Sequence, residues 1–451
     1  MTLLAAQMNN IVPQKKLVLG LGKTGFSCVS YLVEQGYEVM AFDTRQAPPY
    51  LEKMYCEFPQ VDVVLGELNQ ADLSDFKQII VSPGLSLSLP ILTMARQMGI
   101  EIIGDVQLFA QQAQAPIIAI TGSNGKTTTT SLVTAMFKAA GKNVLTGGNI
   151  GVPALDLLKA STPDYYILEL SSFQLETTPA LNAEIAVVLN ISEDHMDRYE
   201  NIEQYAQSKL SIYVHARHKL YNADDEWMRE QLASQCRVRH FSLRTPAKNG
   251  YGIQSVDGEQ WIAFEQVLIC KVQTLKMTGR HQLMNAIAAI AIGDLCQLPR
   301  DVMCGVLREF AGLPHRTQFV AEIRGVTYVN DSKATNIGAT LAAVTGLDKP
   351  IVLIAGGESK GANFSGFAAA LVDHVKQVVL IGRDASLIEK EIGDLIPVVR
   401  CVSLPAAVKV AADIAKTGDC VLLSPACASF DMFDDYQHRG NVFIDAVKAL
   451  K

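Results

Sequence analysis

The chain has 451 residues, about three times the length of a typical single domain, so we expect two or three separate hydrophobic cores. Apolar residues make up 49% of the sequence and charged residues 19%, which excludes disordered, collagen-like and coiled-coil proteins. The formal net charge of -7 disfavours a nucleic-acid or anionic-membrane surface. Nine cysteines stand singly, without a CxxC pair, and no apolar run approaches the ~18 residues of a bilayer span. We therefore expect a cytoplasmic protein that neither inserts into membranes nor binds nucleic acid. We also expect a monomer, an expectation that the composition itself does not supply.

Short apolar runs alternate with stretches of helical period, a pattern that predicts parallel sheets covered by helices. The first block predicts strands at 16–20, 37–43, 78–81 and 100–103, and a helix at 24–35. Between its first strand and helix lies a GxGxxG loop, Gly20 to Gly25, and Asp43 ends the next strand. Such a loop lets the backbone approach a pyrophosphate at a helix N-terminus, while the acid meets a ribose hydroxyl. The loop predicts a diphosphate site for NAD or a UDP-sugar, with tight strand–helix packing as the alternative.

The second block contains a loop with the sequence TGSNGKT, from Thr121 to Thr127. This block predicts strands at 116–121, 165–170 and 185–190, helices at 126–140, 202–214 and 282–296, and a small antiparallel insertion at 237–275. Backbone N–H groups of such a loop cradle phosphates, Lys126 reaches the β and γ oxygens, and the Thr127 hydroxyl binds Mg²⁺. Ile120 stands where the strict phosphate-loop pattern has its first glycine. A chain with separate diphosphate and ATP sites looks like an ATP-driven ligase.

Three single residues in the second block are candidates for metal chemistry. Glu169 lies in an apolar strand, where a carboxylate must be paired in an ion pair or bound to a cation such as Mg²⁺. His195 follows a strand in a polar loop, where α/β folds place functional residues. Lys209 reads from composition alone as a helix-surface lysine. Carbamylation by CO₂ would turn it into a metal-binding anion, and spacing alone does not decide between the two.

The third block predicts strands at 327–330, 351–355, 378–381 and 420–423, separated by alanine-rich helices. With boundaries near 104 and 311, the chain divides into three predicted domains, 1–104, 105–311 and 312–451. We expect an α/β protein whose first domain is Rossmann-like, whose second is a P-loop-type ATPase domain, and whose third is again Rossmann-like.

Taken together, the motifs resemble those of the Mur ligase family over essentially the whole chain. The segments that carry the resemblance are TGSNGKTT, the strand with Glu169, NISEDHMDRY, the Lys209 helix, GRHQLMNAIAA and LPHR with NDSKATN. The resemblance implies an ATP-dependent, amide-forming ligase of cytoplasmic peptidoglycan precursor synthesis. It implies that D-glutamate is added to UDP-N-acetylmuramoyl-L-alanine through an acyl phosphate.

The resemblance also assigns roles to individual residues. It implies ATP-binding positions at Gly122, Ser123, Asn124, Gly125, Lys126, Thr127, Thr128, Asn285, Arg316, Asp331 and Lys333. It implies substrate-binding positions at Lys23, Thr24, Asp43, Thr44, Arg45, Ser82, Asn149, Thr335, Lys360, Ser429, Phe430 and Tyr436. It implies catalytic roles for Lys126, His195, Lys209 and Lys360. It further implies two Mg²⁺ ions held by Thr127, Glu169, His195 and Lys209, the last as a carbamate.

Other readings of the motifs stay open at this point. Another Mur-type ligase or a folate polyglutamylating ligase would share the phosphate loop, although the latter would lack a UDP-type domain ahead of it. An NAD-dependent oxidoreductase would explain the GxGxxG loop and leave the TGSNGKT loop and Glu169 without a role.

Overall fold

The computed structural model describes residues 15–67, 73–232, 238–277, 279–347 and 349–450. The chain divides into two compact units, the first comprising residues 1–121, 142–187 and 207–219 and the second residues 122–141, 188–206 and 220–451. The domain boundaries near 104 and 311 remain predictions. No helix among the described residues is long and apolar enough to cross a membrane.

The first unit begins with a five-stranded, all-parallel sheet in the order β3-β2-β1-β4-β5. Its strands are β1 (Lys16–Leu19), β2 (Val39–Asp43), β3 (Asp62–Leu65), β4 (Gln78–Val81) and β5 (Glu101–Ile103). Its helices are α1 (Lys23–Glu34), α2 (Leu51–Glu57), α3 (Pro90–Gln97) and α4 (Asp105–Gln112). Leu17 and Leu19 on one face and Val18 on the other have no exposed surface, as expected for continuous apolar strands covered on both faces. The Rossmann-like prediction is confirmed for this sheet.

Four further strands of the first unit lie in the order β9-β6-β8-β7. They are β6 (Ile117–Thr121), β7 (Val144–Gly148), β8 (Tyr165–Glu169) and β9 (Ile185–Val188). Strand β8 is parallel to both β6 and β7. The short helix α6 (Ser172–Leu175) follows β8 and begins with a capping box formed by Ser171 and Gln174, which satisfies its first backbone N–H groups.

The stretch of the chain from residue 126 to residue 309 contains several helices and the predicted insertion. Its remaining elements are α5 (Lys126–Ala139), α7 (Ile202–Leu210), β10 (His218–Asn222), α8 (Glu226–Leu232), β11 (Val238–Phe241), β12 (Gly250–Val256), β13 (Glu259–Phe264), β14 (Val267–Lys271), α9 (Arg280–Leu295) and α10 (Arg300–Glu309). Strands β12, β13 and β14 form an antiparallel meander, as predicted. The insertion is not wholly antiparallel, because β11 pairs with β12 in parallel. The helix predicted over 202–214 ends at Leu210 and continues as a 3₁₀ turn over Ser211–Tyr213.

The last third of the chain forms a six-stranded sheet in the order β15-β16-β20-β17-β18-β19. Its strands are β15 (Gln318–Ile323), β16 (Val326–Asn330), β17 (Ile351–Gly356), β18 (Val375–Ile381), β19 (Val398–Arg400) and β20 (Cys420–Leu423). Its helices are α11 (Ile337–Thr345), α12 (Phe367–Leu371), α13 (Ala385–Ile392), α14 (Leu404–Ile414) and α15 (Tyr436–Lys448). Apolar clusters cover both faces of the sheet. All neighbours are parallel except β15, an antiparallel edge strand that the sequence did not predict.

Candidate active site

The GxGxxG loop of the first unit is built around two glycines whose substitution the structure does not allow. Gly20 has φ +95°, and a Cβ added to it would lie 2.9 Å from the side chain of Ser82. A Cβ on Gly25 would lie 1.7 Å from the Gly20 carbonyl oxygen. The loop follows β1, and Ser82 follows β4, so both lie at the carboxyl edge where the strand order reverses. Ligands of open α/β sheets bind at this point.

Asp43 supports this loop from the end of β2. Its carboxylate accepts hydrogen bonds from the Leu21 N–H at 2.7 Å and from the Arg45 guanidinium at 2.9 and 2.7 Å. Burial alone raises the pKa of Asp43, but the bonds from Arg45 and the backbone outweigh it and lower the pKa to about 2. Both carboxylate oxygens of Asp43 therefore form hydrogen bonds within the protein. The neighbouring residues Thr44 and Arg45 are exposed to solvent.

The other predicted substrate residues of the first unit lie on helix α1 and after β7. The Lys23 ammonium, at the start of α1 beside the half-buried Thr24, donates to the Gly151 carbonyl at 2.6 Å. The Asn149 side chain donates to Oε1 of Glu169 at 2.9 Å. The loop after β7 thus contacts both the start of α1 and the carboxylate that ends β8.

Glu169 is a buried carboxylate with only one oxygen satisfied. It is 1% exposed, and its Oε2 has no hydrogen-bond partner within the described part of the chain. A buried unpaired carboxylate oxygen costs free energy unless a cation or donor meets it. Glu169 therefore fits a hard cation such as Mg²⁺, which prefers oxygen ligands.

Lys209 is buried, so the expectation from composition that it lies on the helix surface is wrong. Its residue is 2% exposed and ranks among the largest fully buried side chains. Helix α7 is polar in composition, but burial depends on what packs against a helix face, and composition does not report that. Four residues earlier on α7, the buried Tyr205 pairs its hydroxyl with that of Ser123 at 3.1 Å.

The phosphate loop of the second unit has the backbone its glycines require. Gly122 has φ +149° and Gly125 φ +82°, and Gly125 is the N-cap of α5. The Lys126 ammonium donates to the carbonyls of Gly122 at 2.6 Å and Ser123 at 2.9 Å, so the loop closes around it. Such a loop at a helix N-terminus presents N–H groups and a positive dipole to an anion.

A cavity of about 330 Å³ lies beside this loop. Seven residues predicted to bind ATP line it: Asn124, Gly125, Thr128, Asn285, Arg316, Asp331 and Lys333. Asn285, on α9, is so close to the loop that a Cβ on Gly125 would lie 2.3 Å from its Oδ1. The sequence prediction missed other lining residues, among them Gln282, whose i, i+3 spacing from Asn285 was the available signal.

Two charged residues connect the cavity to the loop and to the C-terminal sheet. The Arg316 guanidinium donates to the Thr127 hydroxyl at 2.6 Å. Asp331, at the end of β16, accepts from the Thr317 N–H at 3.0 Å and from the Ser424 hydroxyl at 2.9 Å. Burial raises the pKa of Asp331 to about 7 in spite of these bonds.

A second, smaller pocket collects His195, Thr335 and Lys360. The Lys360 ammonium donates to Oδ1 of Asp194 at 2.6 Å. Burial outweighs the attraction of Asp194 and lowers the pKa of His195 to about 4, so its imidazole is neutral near pH 7. Asp194 and Asn336 also line this pocket and were missed, although Asp194 stands directly before His195 in the sequence.

The remaining predicted residues lie after β20 and at the start of α15. Ser429 is buried and Phe430 is 71% exposed. The Lys333 ammonium lies 4.0 Å from the centre of the Tyr436 ring, a cation–π contact. Among the described residues, no group of three or more His, Cys, Asp or Glu side chains is placed to hold a metal ion. A metal at Thr127 or Glu169 would therefore take further ligands of another kind, such as phosphate oxygens or water.

Comparison with known protein families matches three consecutive parts of the chain. Residues 14–104 match the family described as Mur ligase MurD-like, N-terminal domain. Residues 120–293 match the Mur ligase middle domain, and residues 315–427 match the Mur ligase, glutamate ligase domain.

Similar proteins extend over nearly the full length. The chain is 48% identical over 439 residues to the UDP-N-acetylmuramoylalanine–D-glutamate ligase of Pseudomonas syringae pv. syringae, covering 96% of this chain and 98% of that protein. It is 47% identical to the Pseudomonas aeruginosa protein of the same name, with the same coverage. Its fold is similar to that of MurF ligase from Thermotoga maritima (TM-score 0.61, 17% identity, 97% and 95% coverage). It is also similar to UDP-N-acetylmuramate-alanine ligase from the same organism (TM-score 0.59, 18% identity, 97% and 100% coverage).

Proposed function

Because the chain belongs to the Mur ligase family, we propose that it joins D-glutamate to UDP-N-acetylmuramoyl-L-alanine at the expense of ATP, in peptidoglycan precursor synthesis. The observation that supports the use of ATP is the cavity beside the phosphate loop, which is lined by Asn285, Arg316 and Asp331. The choice of D-glutamate rests on the identity of 48% and 47%, over nearly the full length, to two UDP-N-acetylmuramoylalanine–D-glutamate ligases.

In this reaction ATP phosphorylates the terminal carboxylate of UDP-N-acetylmuramoyl-L-alanine, and the amine of D-glutamate attacks the acyl phosphate. A triphosphate and a carboxylate are both anionic, so cations must offset their repulsion as they approach. Lys126 reaches the transferred phosphate, and Arg316 holds the Thr127 hydroxyl in place. Phosphate leaves when the tetrahedral intermediate collapses to the amide.

Magnesium is the metal we propose, as two ions. When bound, Mg²⁺ would act as a Lewis acid that offsets the negative charge of the phosphate and carboxylate groups. The family resemblance proposes Thr127, Glu169, His195 and a carbamylated Lys209 as the residues that would hold magnesium. The unpaired Oε2 of Glu169 supports its assignment, because it offers a lone pair to a cation. His195 is neutral near pH 7, which is the form in which an imidazole binds a metal ion.

The substrates occupy the sites proposed from the sequence. The UDP group lies on the GxGxxG loop with Thr44, Arg45 and Ser82, and Asn149 contacts the muramoyl-peptide part. The carboxylates of D-glutamate lie near Lys360, Thr335 and Ser429. The exposed Phe430 and the half-buried Tyr436 lie at the edge of this D-glutamate site. Both oxygens of Asp43 are bonded within the protein, which disfavours a direct ribose contact with UDP and with NAD alike. The oxidoreductase alternative is disfavoured instead because it gives the phosphate loop and its cavity no role.

The test is phosphate release with UDP-N-acetylmuramoyl-L-alanine, ATP and Mg²⁺, with D-glutamate, L-alanine, L-lysine or diaminopimelate as the amine. We expect release with D-glutamate. Release with one of the other three and none with D-glutamate would overturn the assignment. Lys126→Ala should abolish release, and Lys138→Ala, at an exposed position of the same helix α5, is the matched control.

A further inference from the structure

Asn336 is a buried side chain that contacts two segments of the second unit at once. It is 5% exposed and is the N-cap of α11, where its Oδ1 accepts from the Ala339 N–H at 2.8 Å. Its amide nitrogen donates to Oδ1 of Asn124 at 3.2 Å and to Oδ2 of Asp194 at 3.1 Å. Capping needs only the oxygen. Both N–H groups are thus directed to residues that lie far away in the sequence.

The first of these residues fixes the phosphate loop. The Asn124 backbone N–H donates to Oδ1 of Asn190 at 2.8 Å, and the Asn190 amide returns a bond to the Asn124 carbonyl at 3.1 Å. The Asn124 side chain also donates to Oδ1 of Asn336 at 3.4 Å, so the two amides bond in both directions. The two bonds with Asn190 hold Asn124 without Asn336, so Asn124 provides a fixed point of the phosphate loop against which Asn336 is placed.

The second residue fixes Lys360. Oδ1 of Asp194 accepts the Lys360 ammonium at 2.6 Å, while Oδ2 accepts from Asn336. Lys360 has φ +53°, in the left-handed region that non-glycine residues adopt uncommonly. The amide of Asn336 thus holds one oxygen of the Asp194 carboxylate, and the other oxygen binds the ammonium of Lys360.

We propose that Asn336 is a positioning residue that sets Lys360 against the phosphate loop, through Asp194 on one side and Asn124 on the other. The inference rests on the proposed function, in which Lys360 binds the incoming D-glutamate. Its role is to align the amine with the acyl phosphate, and alignment errors of about 1 Å cost on the order of 100-fold in rate.

The experiment uses Asn336→Ser, because serine caps a helix about as well as asparagine but is too short to reach Asn124 and Asp194. We expect a fall of roughly 100-fold in kcat/KM for D-glutamate, through a lower kcat from misalignment and a higher KM from the displaced Lys360, with the KM for ATP changed less than about threefold. Ser403→Ala, which removes the N-cap of α14, is the control for general loss of stability. It should leave both KM values unchanged.

A double-mutant cycle separates positioning from a purely structural role. If Asn336 acts through Lys360, Asn336→Ser combined with Lys360→Met should lose no more activity than Lys360→Met alone. Independent, additive losses, or an unchanged KM for D-glutamate in Asn336→Ser, would overturn the proposal.

Hydrogen exchange provides a readout that does not depend on the reaction. Residues 358–361 should exchange faster in Asn336→Ser than in Ser403→Ala. If the unmodified chain shows no release with D-glutamate, the proposed function fails, and the exchange measurement still decides whether Asn336 holds Lys360. Equal exchange in the two variants would refute that link.

Discussion

Protonation of Asp331 should make the stability of the C-terminal sheet depend on pH in a predictable direction. Burial raises the pKa of this carboxyl from 3.8 to about 7. A group whose folded pKa lies above its unfolded value holds its proton more tightly when folded. Between about pH 4 and 7 the folded protein keeps a proton that the unfolded chain has lost. The free energy of unfolding therefore falls as pH rises through this window and levels off above it.

The size of the effect follows from the two pKa values. With 3.8 for the unfolded and about 7 for the folded state, the contribution of Asp331 falls by roughly 2–3 kcal/mol between pH 5 and pH 8. Asp331→Asn removes the ionisation and keeps the shape, because its oxygen accepts from the Thr317 N–H and its nitrogen can donate to the Ser424 hydroxyl. The variant should therefore lose this part of the pH dependence.

The assay is hydrogen exchange of the β16 amides in urea at pH 5 and pH 8, corrected for intrinsic exchange rates and without nucleotide. The difference between Asp331→Asn and the unmodified chain cancels the other titrating groups. Asp301→Asn, at an exposed position of α10, is the control and should behave as the unmodified chain does. If Asp331→Asn keeps the same pH dependence as the unmodified chain, the carboxyl does not titrate near neutrality and the burial argument is wrong.

Three further changes test the site. Gly125→Ala should raise the KM for ATP at least tenfold, because its Cβ would lie 2.3 Å from Asn285 Oδ1, whereas Gly141→Ala, at a similar φ with open space around it, should leave KM unchanged. Lys209→Ala should lose activity and regain part of it with added short carboxylic acids, and absence of rescue would count against a carbamate. Glu169→Gln should raise the Mg²⁺ concentration for half-maximal activity about tenfold without lowering the melting temperature, since Oε2 has no protein partner to lose.

The sequence predicted those strands best that are buried on both faces. The strands at 78–81 and 420–423 were predicted to the residue, because their apolar runs are continuous and fully covered. The sequence did not predict β7, which ends in two glycines. It also did not predict β15, an edge strand in which exposed and half-buried residues are interspersed. Edge strands owe their pairing to the neighbouring strand rather than to their own composition, so a single sequence predicts them poorly.

The same division applies to the site. The phosphate loop and Glu169 were predictable because their chemistry is local: a glycine pattern between strand and helix, and an acid within an apolar strand. The bond between Asn336 and Asp194 joins residues 142 positions apart, and no local pattern reports it. Lys209 shows the same limit, since its composition indicates a helix surface whereas the folded chain buries it.

Two buried polar atoms without a hydrogen-bond partner among the described residues lie beside the proposed sites. Folded proteins pair nearly all buried polar atoms, because each unpaired one costs about 1–3 kcal/mol. Oε2 of Glu169 and Oε1 of Gln282 are both buried and lack a partner within the described residues. Gln282 lines the nucleotide cavity, and Glu169 contacts Asn149 on the loop proposed to meet the muramoyl peptide. Under the proposed function, a cation at Glu169 and a hydrogen-bond donor at Gln282 would satisfy two of the eight buried side-chain atoms that lack a partner in the described part of the chain.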